Sequence, residues 1–131
     1  MGEKTSILNP RSKKGIIFFI AFFVYFNTIL NPFIFDDIML IVQNPFIKSF
    51  KFIKSYFTKN LLEGIGEKTT FYRPIQTLSY SLIYKLFRLN PIGYHLLNIF
   101  LHSGCAILIY LLLKKIYQEK ISFLVSLLWA I

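Results

Sequence analysis

Apolar residues along this chain gather into blocks instead of recurring on one face of each segment. That is the pattern of segments that avoid water over their whole circumference. Residues 15–35 carry no charge, and about 20 apolar residues suffice to cross a hydrocarbon core about 30 Å thick. They are therefore predicted to form a first complete transmembrane helix. Pro32 should loosen its outer end, because its ring removes a backbone donor. A cleaved signal peptide is disfavoured: Asn27-Thr28-Ile29-Leu30-Asn31 stands where a small-x-small cleavage site would be needed, so an uncleaved signal anchor is expected. A second uncharged run covers residues 89–113, and a second complete helix is expected over residues 91–115, with Lys114 and Lys115 snorkelling at its exit. Residues 121–131 read as the opening of a third helix. At 1.5 Å per residue they reach only about half of the hydrocarbon thickness, so the sequence reads as a fragment, one expected to be inactive alone.

Between the spans the pattern changes. Phe46, Phe50, Ile53 and Phe57 recur at spacings of four, three and four, with Lys48, Lys51 and Lys54 toward the other side, which predicts an amphipathic helix lying in the membrane surface. Glu63-Gly64-Ile65-Gly66-Glu67 reads as a turn, and Pro74 as the first residue of a second interfacial helix over residues 74–90. The expected architecture is an all-α integral membrane protein with two complete transmembrane helices plus a truncated third, and amphipathic interfacial helices in its first extracytoplasmic loop. Its segments are a cytoplasmic tail at 1–14, spans at 15–35 and 91–115, a loop at 36–73, the helix at 74–90, a cytoplasmic turn at 116–120 and the truncated span from 121.

Composition agrees: 55% of the 131 residues are hydrophobic and 16% charged, where a soluble domain carries about 25% charged residues. The net charge of +9 raises the question of nucleic acid. The bases flank the apolar blocks instead of forming a stripe interleaved with stacking aromatics, so membrane lipid is the expected partner and nucleic acid is not. Lys4, Arg11, Lys13 and Lys14, offset only by Glu3, put the N-terminus in the cytoplasm and Asp36 on the far side. The loop opposes this mildly, since its bases (Lys48, Lys51, Lys54, Lys59, Lys68, Arg73) outnumber its acids (Asp36, Asp37, Glu63, Glu67). The pair Lys114-Lys115 supports it. Cys105, the sole cysteine, leaves no intrachain disulfide or cysteine-based zinc spacing to read.

Two adjacent carboxylates, Asp36 and Asp37, at the mouth of the first span are the sharpest chemical feature. Either can cap a helix beginning at Ile38. A carboxylate there also suits a general base, and two together can hold a divalent cation, magnesium or manganese, bound to a phosphate. Arg73 in Tyr72-Arg73-Pro74 is predicted on the same membrane side, where a guanidinium either pairs with phosphate or snorkels. His95, Asn98 and His102 share one face of the second span, and intramembrane polar groups face protein or a watery cavity. Packing accounts for Asn98; the histidines are candidates for a substrate site.

Taken in order, Phe35-Asp36-Asp37 with Ile41 and Asn44, Tyr72-Arg73-Pro74, Asn90-Pro91-Ile92-Gly93-Tyr94-His95-Leu96-Leu97-Asn98, Leu101-His102 and Ser126-Leu127-Leu128-Trp129-Ala130 resemble the N-terminal region of the membrane O-mannosyltransferase-like proteins that carry tetratricopeptide repeats. Those belong to the multi-spanning glycosyltransferases of the C-type fold. The resemblance implies a transferase moving a sugar from a polyprenyl-phosphate donor to a protein or glycan acceptor. It implies a base or metal-binding role for Asp36, with Asp37 as companion, and positions near the site for Arg73 and His102. It implies a multi-pass membrane protein, in the plasma membrane if prokaryotic. The family's His-Pro pair after the third apolar run is not reached by Ile131. A non-enzymatic membrane anchor or subunit is the competing expectation, and a holin-like protein a weaker third.

Overall fold

The computed structural model describes residues 9–131; Glu3 and Lys4, part of the expected cytoplasmic tail, lie outside the described residues. The described chain is all helix and turn, with five α-helices: α1 (Pro10–Val24), α2 (Ile53–Tyr56), α3 (Pro74–Phe87), α4 (Pro91–Leu113) and α5 (Glu119–Ala130). It divides into two compact units. One holds the residues up to Ile29 together with residues 96–131, and the other holds residues 30–95.

Among the described residues a single helix, α4, is long and apolar enough to cross a membrane. Its 23 residues extend about 35 Å at 1.5 Å per residue, and its mean hydropathy is 2.1. Only 22% of its most apolar window is buried inside the protein, whereas the core helix of a soluble protein would be mostly buried.

This corrects the expected two complete transmembrane helices plus a truncated third. Residues 15–35 do not form one helix: α1 stops at Val24, and a 3₁₀ helix covers Phe26–Leu30. Locally the reason is backbone competition. The Thr28 hydroxyl donates to the Tyr25 carbonyl at 2.7 Å while the Thr28 amide donates to the same oxygen at 3.0 Å, tightening the turn. Pro32 then cannot continue a helical ladder. At the far end α5 holds 12 residues, beginning at Glu119.

In the first unit α1 packs on α5, and Ile17 and Ala21 of α1, Ala106 and Tyr110 of α4 and Ala130 of α5 form one buried cluster. Small residues let the backbones approach. Ser103, Ser122 and Ser126 are buried with them and return their hydroxyls to the carbonyls four residues earlier. At one end Glu119 accepts from the Tyr110 hydroxyl at 2.8 Å and pairs with Lys13 at 3.2 Å. These donors pull its carboxyl below the usual value of 4.5, the tyrosine contributing most and Lys13 next.

The second unit closes around Leu40, Ile41, Ile47, Tyr80 and Tyr94. The expected continuous amphipathic helix over residues 46–57 is not formed. Two 3₁₀ turns, Phe46–Lys48 and Phe50–Phe52, precede α2, separated by an extended Ser49 whose hydroxyl accepts from the Lys51 amide. Burial explains the break, since the residues turned inward are Ile47 and Tyr56, while Phe50, Ile53 and Phe57 remain exposed. The Tyr56 hydroxyl donates to the Phe46 carbonyl at 2.7 Å and meets the Ser81 hydroxyl at 3.1 Å, fastening this segment to α3. Asn44 is buried, accepts from the Phe46 amide at 2.9 Å and lies against Gly64, where a β-carbon would collide with its amide.

Candidate functional site

The acid pair stands on an irregular turn of the second unit. Phe35 adopts a positive φ of 46° and Asp37 is followed by a π turn over Ile38–Val42, closed by the Gln43 amide donating to the Ile38 carbonyl at 2.8 Å. Neither acid caps that turn through its side chain in the manner the sequence suggested. The Asp37 side chain makes no cap bond, and its Oδ2 reaches back to the Ile34 amide at 3.5 Å. Asp36 stays exposed.

Arg73 is presented by the two residues around it. The Tyr72 hydroxyl donates to the Phe57 carbonyl at 2.9 Å, and the Phe71 carbonyl accepts from the Leu61 amide at 3.0 Å. Pro74 keeps Arg73 out of the helical region, so the chain arrives extended and turns into α3 only beyond it. The guanidinium lies over the Phe71 ring, 5.3 Å from its centre, and reaches Gln76 Oε1 at 3.5 Å.

Asp36 and Arg73 line the same cavity, about 120 Å³, with Met39, Leu40, Leu61 and Leu62 as its apolar wall. One carboxylate and one guanidinium, both exposed, thus border a small space with an apolar wall. Tyr80, which sequence reasoning missed, feels the same charges. It is buried, and its oxygen accepts from the Gln76 amide nitrogen at 2.8 Å. Burial pushes its phenol above 10; Gln76 opposes this, Asp37 and Asp36 add to it, and Arg73 opposes it. Its place within the helix that Arg73 and Pro74 open was the available clue.

His95 belongs to the same unit as Asp36 and Arg73 but is not among the residues lining their cavity. Its Nε2 lies 3.0 Å from the Asn31 carbonyl, which fixes the loop after the 3₁₀ helix. His102 falls in the first unit, stacked on Trp129 with ring centres 4.7 Å apart, edge-on to Tyr25, and 3.3 Å from the Ala130 carbonyl. Among the described residues no three of His, Cys, Asp and Glu gather as a metal site. Asp36 and Asp37 would supply two carboxylates to a magnesium or manganese ion, with phosphate oxygens and water completing its shell.

A long, mostly unburied apolar helix in an all-α chain, with an acid and an arginine lining one cavity, fits a membrane protein with a polar site, the class that the relatives support. The chain is homologous, at low identity and over part of their length, to the tetratricopeptide-repeat-containing O-mannosyltransferase-like family, which links it to the glycosyltransferases. It is 30% identical over 112 residues to human protein O-mannosyl-transferase TMTC3, covering 82% of this chain and 12% of that protein. To the Caenorhabditis elegans protein O-mannosyl-transferase F38B6.6 it is 27% identical over 125 residues, 88% of this chain and 18% of that one. With Drosophila melanogaster protein O-mannosyl-transferase Tmtc1 the identity is 27% over 111 residues, 82% and 13% of the two chains. The chain thus spans less than a fifth of the length of these relatives. No family model matches it, and no solved structure does.

Proposed function

We propose that this chain is the part of a membrane glycosyltransferase that carries the catalytic base, and that the intact protein moves a sugar from a polyprenyl-phosphate donor to a protein or glycan acceptor on the extracytoplasmic side. The observation that supports this reading is the shared cavity of Asp36 and Arg73. Asp36 takes the proton from an acceptor hydroxyl as its oxygen attacks the anomeric carbon. The bond from that carbon to the phosphate oxygen breaks, the polyprenyl phosphate leaves, and Arg73 meets the charge left on its oxygens through paired N–H donors. The apolar wall formed by Met39, Leu40, Leu61 and Leu62 suits the lipid end of such a donor. His95 is proposed as an outer part of the substrate site, and the N-terminus as cytoplasmic.

The test is Asp36→Asn in a full-length version. Transfer to acceptor should fall by about 100-fold or more while membrane insertion is unchanged; a variant as active as wild type removes the mechanism. A second reading, a non-enzymatic anchor or subunit, is favoured by the Asp37 carboxylate, which is engaged with the Ile34 amide inside its own turn. Under that reading both aspartates tolerate the amide replacement equally.

A further inference from the structure

The second unit holds another cavity, about 250 Å³, that shares no residue with that of Asp36 and Arg73. Its charged lining residues are Lys48, Lys85 and Arg88, and no acid lines it. Three cations around one space repel one another, and none of the three has a carboxylate partner among the described residues. An arrangement of this kind is stable when an anion sits between them.

The cations are also held in place. Ser81, Tyr84, Lys85 and Arg88 stand at intervals of three, one and three, one face of α3 and its end, so the helix itself aligns them. Lys85 lies over the Phe50 ring at 5.2 Å and Arg88 over the Tyr84 ring at 5.6 Å. Lys48 is held by donating to the Val42 carbonyl at 2.7 Å. Arg88 adopts φ 56°, a backbone conformation that is strained for a non-glycine residue. The turn that imposes it is locked, because the Tyr94 hydroxyl donates to the Arg88 carbonyl at 2.9 Å. Phe50, which lines the cavity, is itself exposed, an apolar residue of the kind that enters a bilayer surface beside a headgroup.

We infer that this cavity binds a phosphoryl group through Lys48, Lys85 and Arg88, as a site separate from sugar transfer. Two sources share that chemistry: the phosphomonoester headgroup of an anionic membrane lipid, and free inorganic phosphate or pyrophosphate. The exposed Phe50 ring at the cavity favours the lipid. The full chain, purified in phosphatidylcholine nanodiscs with and without phosphatidic acid, is assayed by native mass spectrometry for retained anionic lipid, and inorganic pyrophosphate is titrated in the discs lacking it. Retained phosphatidic acid supports the inference and assigns the lipid; pyrophosphate binding without it supports the inference and assigns the free anion; neither binding overturns it.

Lys85→Gln with Arg88→Gln should weaken the binding by about tenfold. The charge-matched pair Lys51→Gln with Lys54→Gln, absent from the cavity lining, should leave it unchanged, and equal losses would reduce the effect to bulk charge and sink the inference. The wild-type chain gives a measurement independent of any folding defect: bound anion should slow acylation of the Lys85 amine but not of the Lys54 amine, and equal rates count against the site. Arg73→Gln keeps this binding whether or not it disturbs transfer, so the two readings fail separately.

Discussion

The two units solve the helix problem in opposite ways. In the first, α1, α5 and most of α4 are regular, packed through alanines and serines whose hydroxyls fold back onto their own helices. Among its described residues the ion pairs form a single structural cluster at Glu119. In the second unit α3, the single-turn α2 and the first turn of α4 are α-helical; between them lie 3₁₀ and π turns, two non-glycine residues of positive φ and two cavities lined by charge. Regular helix satisfies its own backbone and leaves side chains to packing, whereas a broken backbone can aim carboxylates, guanidinium groups and carbonyls into a shared space.

The contrast breaks most sharply if substitutions in the two units exchange their effects. In full-length protein, Asp36→Asn should cost about 100-fold or more in transfer, while Asp37→Asn should cost under about tenfold, because only the former lines the cavity; a radiolabelled-sugar transfer assay in membranes compares them. A similar collapse for Asp37 would make the acids one unit. Next comes Ala21→Leu, at a fully buried helix contact of the first unit. It should destabilise by about 1–3 kcal/mol through overpacking, read by denaturant unfolding in micelles, without altering anion binding in the second unit. Gly64→Ala should do the reverse, displacing the Asn44 amide for about 1–3 kcal/mol and disturbing the second unit's loops, which amide exchange would localise.

The smallest effects are in pH. Glu119 is held below 4.5, so its share of stability is present above that value and is lost as pH falls through the lower folded value. Tyr56 and Tyr80 are pushed above 10 chiefly by burial, so their share is intact below 10 and is lost as pH climbs toward the higher folded values. Ultraviolet titration of the phenols, with Tyr80→Phe as the subtraction, checks the alkaline limb. Thermal unfolding of Glu119→Gln, which should lose the acid limb, checks the other.

The all-α character, the long apolar helix and the family resemblance were legible because each depends on residues near one another in sequence: the uncharged run within Pro91–Leu113, and short ordered groups such as Tyr72-Arg73-Pro74. Two adjacent features misled. Residues 15–35 have the composition of a span, yet Thr28 diverts its hydroxyl to a backbone carbonyl and the helix tightens and ends. Residues 46–57 have helical spacing, yet the inward positions prove to be Ile47 and Tyr56, chosen by what α3 offers opposite them. The cavity wall was illegible for the same reason, since Leu61 and Leu62 meet Asp36 only after folding.

The π turn over Ile38–Val42 holds one residue more than an α-helical turn would. Removing any single residue from it leaves an ordinary α-turn that the backbone can close without strain, so a shortened chain should still fold there. The segment before the excision would then swing by about 100° around the local axis relative to the segment after it. The direction in which the first carboxylate looks is therefore set by a count of residues as much as by their identity, and a lineage could retune or silence the pocket with a single codon deletion.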